Sequence, residues 1–169
     1  CSQSRGLGDV YKRQSMDSFE IEINNQFQGL KDPEDRTQAV CSILADSKFK
    51  LNSGTLSIAF VDDASIKDLH DSFLGDPSST DVITFPGNPT FESVGEICIS
   101  IDEAIKNSKT FGTSVSHEIT LYLIHGWLHL YGFNDKTETE IKAMRLAEDE
   151  AFKLVNSEIS NPDYQVLKN

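Results

Sequence analysis

The segment 117–135 contains three of the four histidines of the chain. His125 and His129 are four residues apart, so on a helix, which turns by 100° per residue, their side chains lie on one face about one turn apart. Gly132 follows three residues later and can adopt the left-handed conformation that ends a helix and reverses the chain. Asp135 can therefore return towards the two imidazoles.

The pattern His-x3-His-x2-Gly-x2-Asp offers two imidazoles and one carboxylate to a single metal ion. Three protein ligands leave one coordination position for water, as a catalytic zinc site requires, whereas a structural zinc site is closed. We therefore predict that His125, His129 and Asp135 bind one zinc ion per chain. The alternative is that two histidines at the edge of the core are four residues apart by chance and that Gly132 is an ordinary helix cap.

The same spacing resembles that of the zinc metalloproteases, in which a glutamate directly follows the first histidine and acts as the general base. In this chain Gly126 occupies that position. Glycine has no side chain that could accept a proton from water at the metal. Peptide hydrolysis by that route is therefore not expected.

The length and composition of the chain indicate what kind of protein positions these residues. The chain has 169 residues, of which 38% are hydrophobic and 25% charged, enough for one globular domain with its own core. It has no apolar run near the ~18 residues needed to cross a bilayer, no segment resembling a signal peptide and no CxxC pair, so we expect a cytoplasmic protein. The net charge of −12 argues against non-specific affinity for nucleic acids or anionic membranes.

Residues 1–15 differ from the rest of the chain because they have no hydrophobic periodicity and resemble translated adaptor sequence. We predict that they are a non-native extension, that Met16 is the native start and that residues 16–169 form a single domain.

Hydrophobic periodicity predicts how that domain is built. A period of two predicts strands at 19–23 and 56–61, and two apolar runs next to turn residues predict strands at 82–85 and 97–101. A period near 3.6 predicts helices at 32–44, 64–73, 102–110, 114–131 and 137–155. In the last helix the predicted buried side comprises Met144, Leu146, Ala147, Ala151 and Phe152. The fold class is therefore α+β, a single domain with a roughly four-stranded mixed sheet, about five helices and the metal-binding helix in the centre.

Motifs in several of these segments resemble those of one protein family. The stretch His-Gly-x-Leu-His-Leu-x-Gly-aromatic, at 125–133, resembles the YbeY-type rRNA maturation factors, which are single-strand-specific, metal-dependent endoribonucleases of bacteria. Further matches follow in the family's order and cover nearly everything after Met16. They are Ile66-x-x-Leu69, Thr80 to Pro86, Gly95 to Ser100, Glu118 and the acidic helix from Met144 to Ala151.

The resemblance implies roles for the metal-binding residues. His125 and His129 match the first two zinc ligands of the family, and Asp135 stands where a third histidine is common. A carboxylate oxygen is an acceptable zinc ligand, although its charge makes the metal a weaker Lewis acid. The chain also has Phe73 and Leu74 where the family often has Tyr-Arg, so it lacks the arginine that would hold a scissile phosphate.

The sequence names no convincing general base. Four further residues are candidates for the site, Glu118 and Asp81 for catalysis and Thr80 and Lys136 for substrate binding. Glu118 can accept a hydrogen bond from a ligand histidine, or it can cap its helix together with Ser114 or Ser116. Thr80 and Asp81 lie either at the cleft or simply in a polar strand entrance after a turn.

The function implied by the resemblance is zinc-dependent, single-strand-specific endoribonuclease activity in rRNA maturation and ribosome quality control. Its partners would be single-stranded rRNA and the ribosome or small-subunit proteins, with no membrane. The acidic chain then needs a local basic cleft, near Lys106, Lys109 and Lys136, or delivery to RNA by a protein partner. Two other functions stay open, a non-catalytic ribosome-assembly factor with a structural metal and a metal-dependent hydrolase of a small substrate.

Overall fold

A computed structural model describes residues 19–167. The strands and helices in this part of the chain are β1 (Phe19–Asn25), β2 (Leu30–Lys31), α1 (Glu34–Ala45), β3 (Gly54–Val61), α2 (Asp63–Leu74), β4 (Val82–Pro86), β5 (Ser93–Ser100), α3 (Ile101–Phe111), α4 (Val115–Tyr131), α5 (Glu138–Glu158) and β6 (Gln165–Val166). A single 3-10 turn, Pro89–Phe91, separates β4 from β5. The predicted strands and helices are therefore confirmed, with shifts of a few residues at their ends.

Four strands form a mixed sheet in the order β1-β3-β5-β4. The first three run parallel, with Ile21 beside Leu56 and Ile58 beside Ile97, and β4 runs antiparallel to β5. Parallel neighbours need a crossover, and α1 and α2 supply these connections along the chain. The α+β architecture with a four-stranded mixed sheet and five helices is thus the one predicted, within the described residues.

Helix ends follow local sequence. Pro33 precedes α1, whose first turn carries Glu34 and Asp35, two acids that interact favourably with the positive end of the helix dipole. The α5 helix begins with a capping box, in which Thr137 and Glu140 each bond the other's backbone N–H. This box fixes where α5 starts, directly after the loop that carries Asp135.

The α4 helix is central and lies against one face of the sheet. A β-carbon added at Gly126 would lie 2.7 Å from Ile97 Cγ2 and 3.2 Å from Thr84 Cγ2, so only glycine allows this close approach of helix and sheet. The neighbouring Trp127 is fully buried, and its indole N–H donates to the Phe49 carbonyl at 2.8 Å. Gly126, which stands where a metalloprotease has its general base, is therefore a packing residue.

Two sequence-based expectations need correction or completion. Leu146 was predicted to be buried, but its exposure is 71%, because it points away from the stripe of α5 that faces the core. The buried residues of that stripe are Met144, Ala147, Glu148, Ala151 and Val155. The short pairing of β2 with β6 was not predicted, since two-residue strands have no periodicity to detect.

None of the helices in the described part of the chain has the length and apolarity that crossing a bilayer requires. Residues 1–15 lie outside the described residues, so the prediction that they are non-native and that Met16 is the start stays a prediction.

Candidate metal centre

The site forms where α4 ends. Gly132 follows the last helical residue with φ 133°, in the left-handed region that favours glycine, and its N–H bonds back to the Leu128 and His129 carbonyls. The chain then reverses, and Asp135 returns to the face that carries His125 and His129. The predicted turn is confirmed.

Three side chains converge at this corner, and their donor atoms lie within 4.8 Å of one another. The two Nε2 atoms of His125 and His129 are 3.0 Å apart. Asp135 Oδ2 is 3.4 Å from His125 Nε2 and 3.2 Å from His129 Nε2. The structure therefore brings together the three residues predicted as metal ligands.

The other nitrogen of each imidazole has a defined partner. His129 Nδ1 lies 3.1 Å from the Phe133 carbonyl oxygen, which can only accept, so Nδ1 carries the proton. His125 Nδ1 lies 2.7 Å from a carboxylate oxygen of Glu148 and likewise donates. In both neutral rings Nε2 is then left with a lone pair.

With both rings neutral, two lone pairs and a carboxylate oxygen face one another, which is repulsive unless a proton or a metal cation lies among them. An ion bound tetrahedrally at about 2.0–2.2 Å from its ligands holds them about 3.3–3.6 Å apart. The three measured separations of 3.0, 3.2 and 3.4 Å lie at or slightly below this spacing. The three side chains could therefore hold one metal ion.

Glu148 is the polar residue that the sequence analysis missed. It is 4% exposed and lies on the core-facing stripe of α5, where apolar residues surround it. Burial raises the pKa of this carboxyl, but hydrogen bonds from His125 and Arg145 outweigh burial and hold its pKa below the ordinary value. A signal was present, because Glu148 falls four residues after Met144 and three before Ala151, on the apolar face.

The electrostatics of His125 reflect the same neighbours. Burial lowers the pKa of the imidazole, but the hydrogen bond to Glu148 and the charges of Glu148, Asp81 and Asp135 raise it above its usual value. Negative charge therefore surrounds His125 on several sides, which favours a cation at the cluster.

The two weaker catalytic candidates occupy different places. Asp81 lies at the entrance of β4, where its Oδ1 accepts from the Val82 N–H at 2.8 Å. Its charge is one of those that raise the pKa of His125. Glu118 is buried near the start of α4 and accepts from the Thr113 hydroxyl at 3.0 Å. The partner of the ligand histidine is Glu148, and Glu118 does not take that place.

The candidates for substrate binding lie in two different loops. Thr80 is half-buried beside Asp81, and Lys136 is exposed directly after Asp135. Of the other lysines expected in a basic cleft, Lys106 pairs with Glu103 at 3.8 Å on α3, and Lys109 lies in the last turn of that helix.

Comparisons with known proteins cover most of the chain. The family model described as Endoribonuclease YbeY matches residues 20–156. The Endoribonuclease YbeY of Nautilia profundicola is 39% identical over 111 residues, which are 63% of this chain and 76% of that protein. The Endoribonuclease YbeY of Acholeplasma laidlawii is 31% identical over 141 residues, covering 82% of this chain and 98% of the relative.

A solved structure has the same fold. The solution structure of TM1509 from Thermotoga maritima superposes with a TM-score of 0.54, covering 84% of this chain and 97% of that one. At 24% sequence identity this likeness concerns the fold alone.

Proposed function

The chain belongs to the endoribonuclease YbeY family, and from this membership we propose that it is a zinc-dependent enzyme that cleaves single-stranded rRNA during rRNA maturation and ribosome quality control. Membership makes the chain an endoribonuclease, a hydrolase that acts on RNA. The choice of zinc, of single strands and of the ribosome as the place of action is the proposed part.

One observation carries the proposal for a metal-dependent reaction. His125, His129 and Asp135 present three donor atoms towards one point, and the two imidazoles are held in the tautomer that a metal ion requires. Asp135 is exposed and both histidines are only partly buried, so the point that they share is open to solvent. Three ligands and an open side are typical of catalytic zinc sites rather than structural ones.

A zinc ion held there would supply Lewis-acid polarisation of a phosphodiester and of water at neutral pH. The protein's own residues would orient the reaction. Glu148 and the Phe133 carbonyl keep the two imidazoles from rotating. Of the two carboxylates considered for proton transfer, we assign the role to Asp81, since it is partly exposed at the entrance of β4 whereas Glu118 is buried and accepts from Thr113.

The acidic chain constrains how RNA reaches the site. A net charge of −12 repels a polyanion at long range, so binding depends on cations placed beside the cluster or on a protein that presents the RNA. Thr80 and Lys136 would contact the substrate. The ribosome and its small-subunit proteins would act as the presenting partner, which places the protein in the cytoplasm.

The test uses purified protein with single-stranded RNA and with a duplex of the same sequence. We expect cleavage of the single strand only, loss of cleavage on chelation of the metal, and its return when zinc is added. His129→Ala, prepared in parallel, is the control for a contaminating nuclease. Equal cleavage by this variant, or no cleavage by folded, zinc-loaded protein, would overturn the proposal. The latter result would favour an assembly factor with a structural metal.

A further inference from the structure

Arg145 is linked to the metal cluster through the carboxylate of Glu148. Its Nη1 donates to both oxygens of Glu148, at 3.1 and 2.9 Å, and one of these oxygens accepts from His125 at 2.7 Å. Glu148 is buried, whereas the Arg145 side chain is 66% exposed. The guanidinium is therefore anchored at one end and open to solvent at the other.

The packing of α5 against α4 places Arg145 on the side of the cluster. Two contacts fix the antiparallel register, His117 with Phe152, whose ring centroids are 4.6 Å apart, and His125 with Glu148. Residues 145, 148 and 152 are three and four apart and share one stripe of α5. Arg145 precedes Glu148 on that stripe. Because the two helices are antiparallel, it lies beside the end of α4 that carries His125 and His129.

The guanidinium keeps donors free. Arginine has five N–H groups, and Nη1 contributes only two of them. Within residues 19–167, Glu148 is the only group that accepts a hydrogen bond from Arg145. The remaining N–H groups on Nη2 and Nε form the planar fork that matches a phosphate.

We propose that Arg145 binds a backbone phosphate of the RNA substrate next to the metal site. It would supply, from α5, a positive charge beside the cluster of an otherwise acidic chain. Glu148 would then have two roles, since the same carboxylate orients His125 and Arg145. This inference rests on the proposed function, because it assumes that the substrate is RNA.

The experiment compares Arg145→Met with Lys142→Met. Lys142 is on the same helix, is 76% exposed and pairs only with Glu138 at 3.9 Å among the described residues, so its variant removes the same charge at a site without the anchored fork. Binding of a labelled single-stranded RNA with hydrolysis-resistant phosphorothioate linkages is measured at several salt concentrations. Zinc affinity is measured separately by competition with a chelator.

We expect Arg145→Met to weaken RNA binding about 10-fold or more, because a charge-assisted hydrogen bond is lost. The slope of log affinity against log salt should fall by about 0.7, the value for one phosphate contact on a single strand. Lys142→Met should change both quantities much less, and zinc affinity should stay the same in both variants.

Three results would overturn the inference. Arg145→Met could bind RNA like Lys142→Met, which would leave the proposed function intact. It could weaken zinc binding with an unchanged salt slope, which would make Arg145 only a support for Glu148. Failure of the unaltered protein itself to bind or cut single-stranded RNA would instead overturn the proposed function and this inference together.

Discussion

The two faces of α4 are built from adjacent residues and held by different means. Gly126 and Trp127 face the core, where a close approach to Ile97 and a bond to the Phe49 carbonyl hold the helix in place. His125 and His129 face outwards, and their orientation depends on groups beyond the helix. The same turns of α4 thus have one face that stabilises the fold and another that carries the predicted metal ligands.

From this difference we expect that substitutions can change metal binding and stability separately. Side chains one residue apart on a helix point about 100° apart, so a substitution on one face leaves the contacts of the other in place. Variants of the outer face should lose function and stay folded, whereas variants of the inner face should lose stability and keep the ligand set.

The largest effect is expected for the double variant His125→Ala/His129→Ala. Removing two of three donors should reduce the metal content from about one zinc per chain to none and abolish cleavage of single-stranded RNA. Elemental analysis measures the metal, and circular dichroism confirms that the variant is folded. Retention of one zinc per chain would show that the ion binds elsewhere.

Asp81→Asn should lower kcat by about 100-fold to 10,000-fold, the contribution of a positioned acid or base. The amide keeps the size of the side chain and its bond from Val82, so zinc content and urea midpoint should match those of the unaltered protein. Glu118→Gln serves as the comparison and should retain most of the activity. The assignment fails if the two variants have the same kcat.

Trp127→Ala tests the inner face. Truncating this fully buried indole should lower the free energy of unfolding by about 3–5 kcal/mol, measured by urea denaturation. The folded fraction should still bind one zinc per chain. If the variant does not fold, Trp127→Phe, which keeps most of the packing, gives a smaller loss in the same direction. A loss of zinc without a loss of stability would contradict the separation of the faces.

Glu148→Gln should lower zinc affinity by about 10-fold to 100-fold, as expected when the partner of a ligand histidine is weakened. Competition with a chelator measures this affinity. Glu150→Gln is the matched control on the same helix, because Glu150 is exposed and pairs only with Lys48 among the described residues. Equal zinc affinities in the two variants would show that Glu148 does not orient His125.

The smallest effect is expected for a chain that begins at Met16. The groups shown above to hold the two faces of α4, those of Ile97, Phe49, Glu148 and Phe133, all lie within 19–167, so zinc content, cleavage and unfolding midpoint should be unchanged. A lower midpoint or lower activity would show that residues 1–15 belong to the native protein.

The ligand set was predictable because it is local. His125, His129 and Asp135 lie within one helix end and its turn, and the geometry of a helix with a glycine stop brings such residues together whatever surrounds them. The strands and helices were predictable for a similar reason, since the alternation from Leu56 to Phe60 is a local pattern typical of a strand.

Glu148 and Arg145 could not be found in that way. Their positions beside His125 depend on the register between two antiparallel helices, and that register is set by packing across α4 and α5. The misplacement of Leu146 has the same origin, because hydrophobicity alone favours burial of a leucine over a glutamate. Glu148 is the buried residue because His125, on the neighbouring helix, donates a hydrogen bond to its carboxylate.

The reversal at Gly132 has a consequence for chain entropy. All three ligands lie between His125 and Asp135, so an ion bound by them closes a ring of only about ten residues, and the entropy of ring closure grows slowly, with the logarithm of ring length. An ion bound there would therefore hold the corner between α4 and α5 together. We expect its removal to loosen this corner while the register of the sheet is kept.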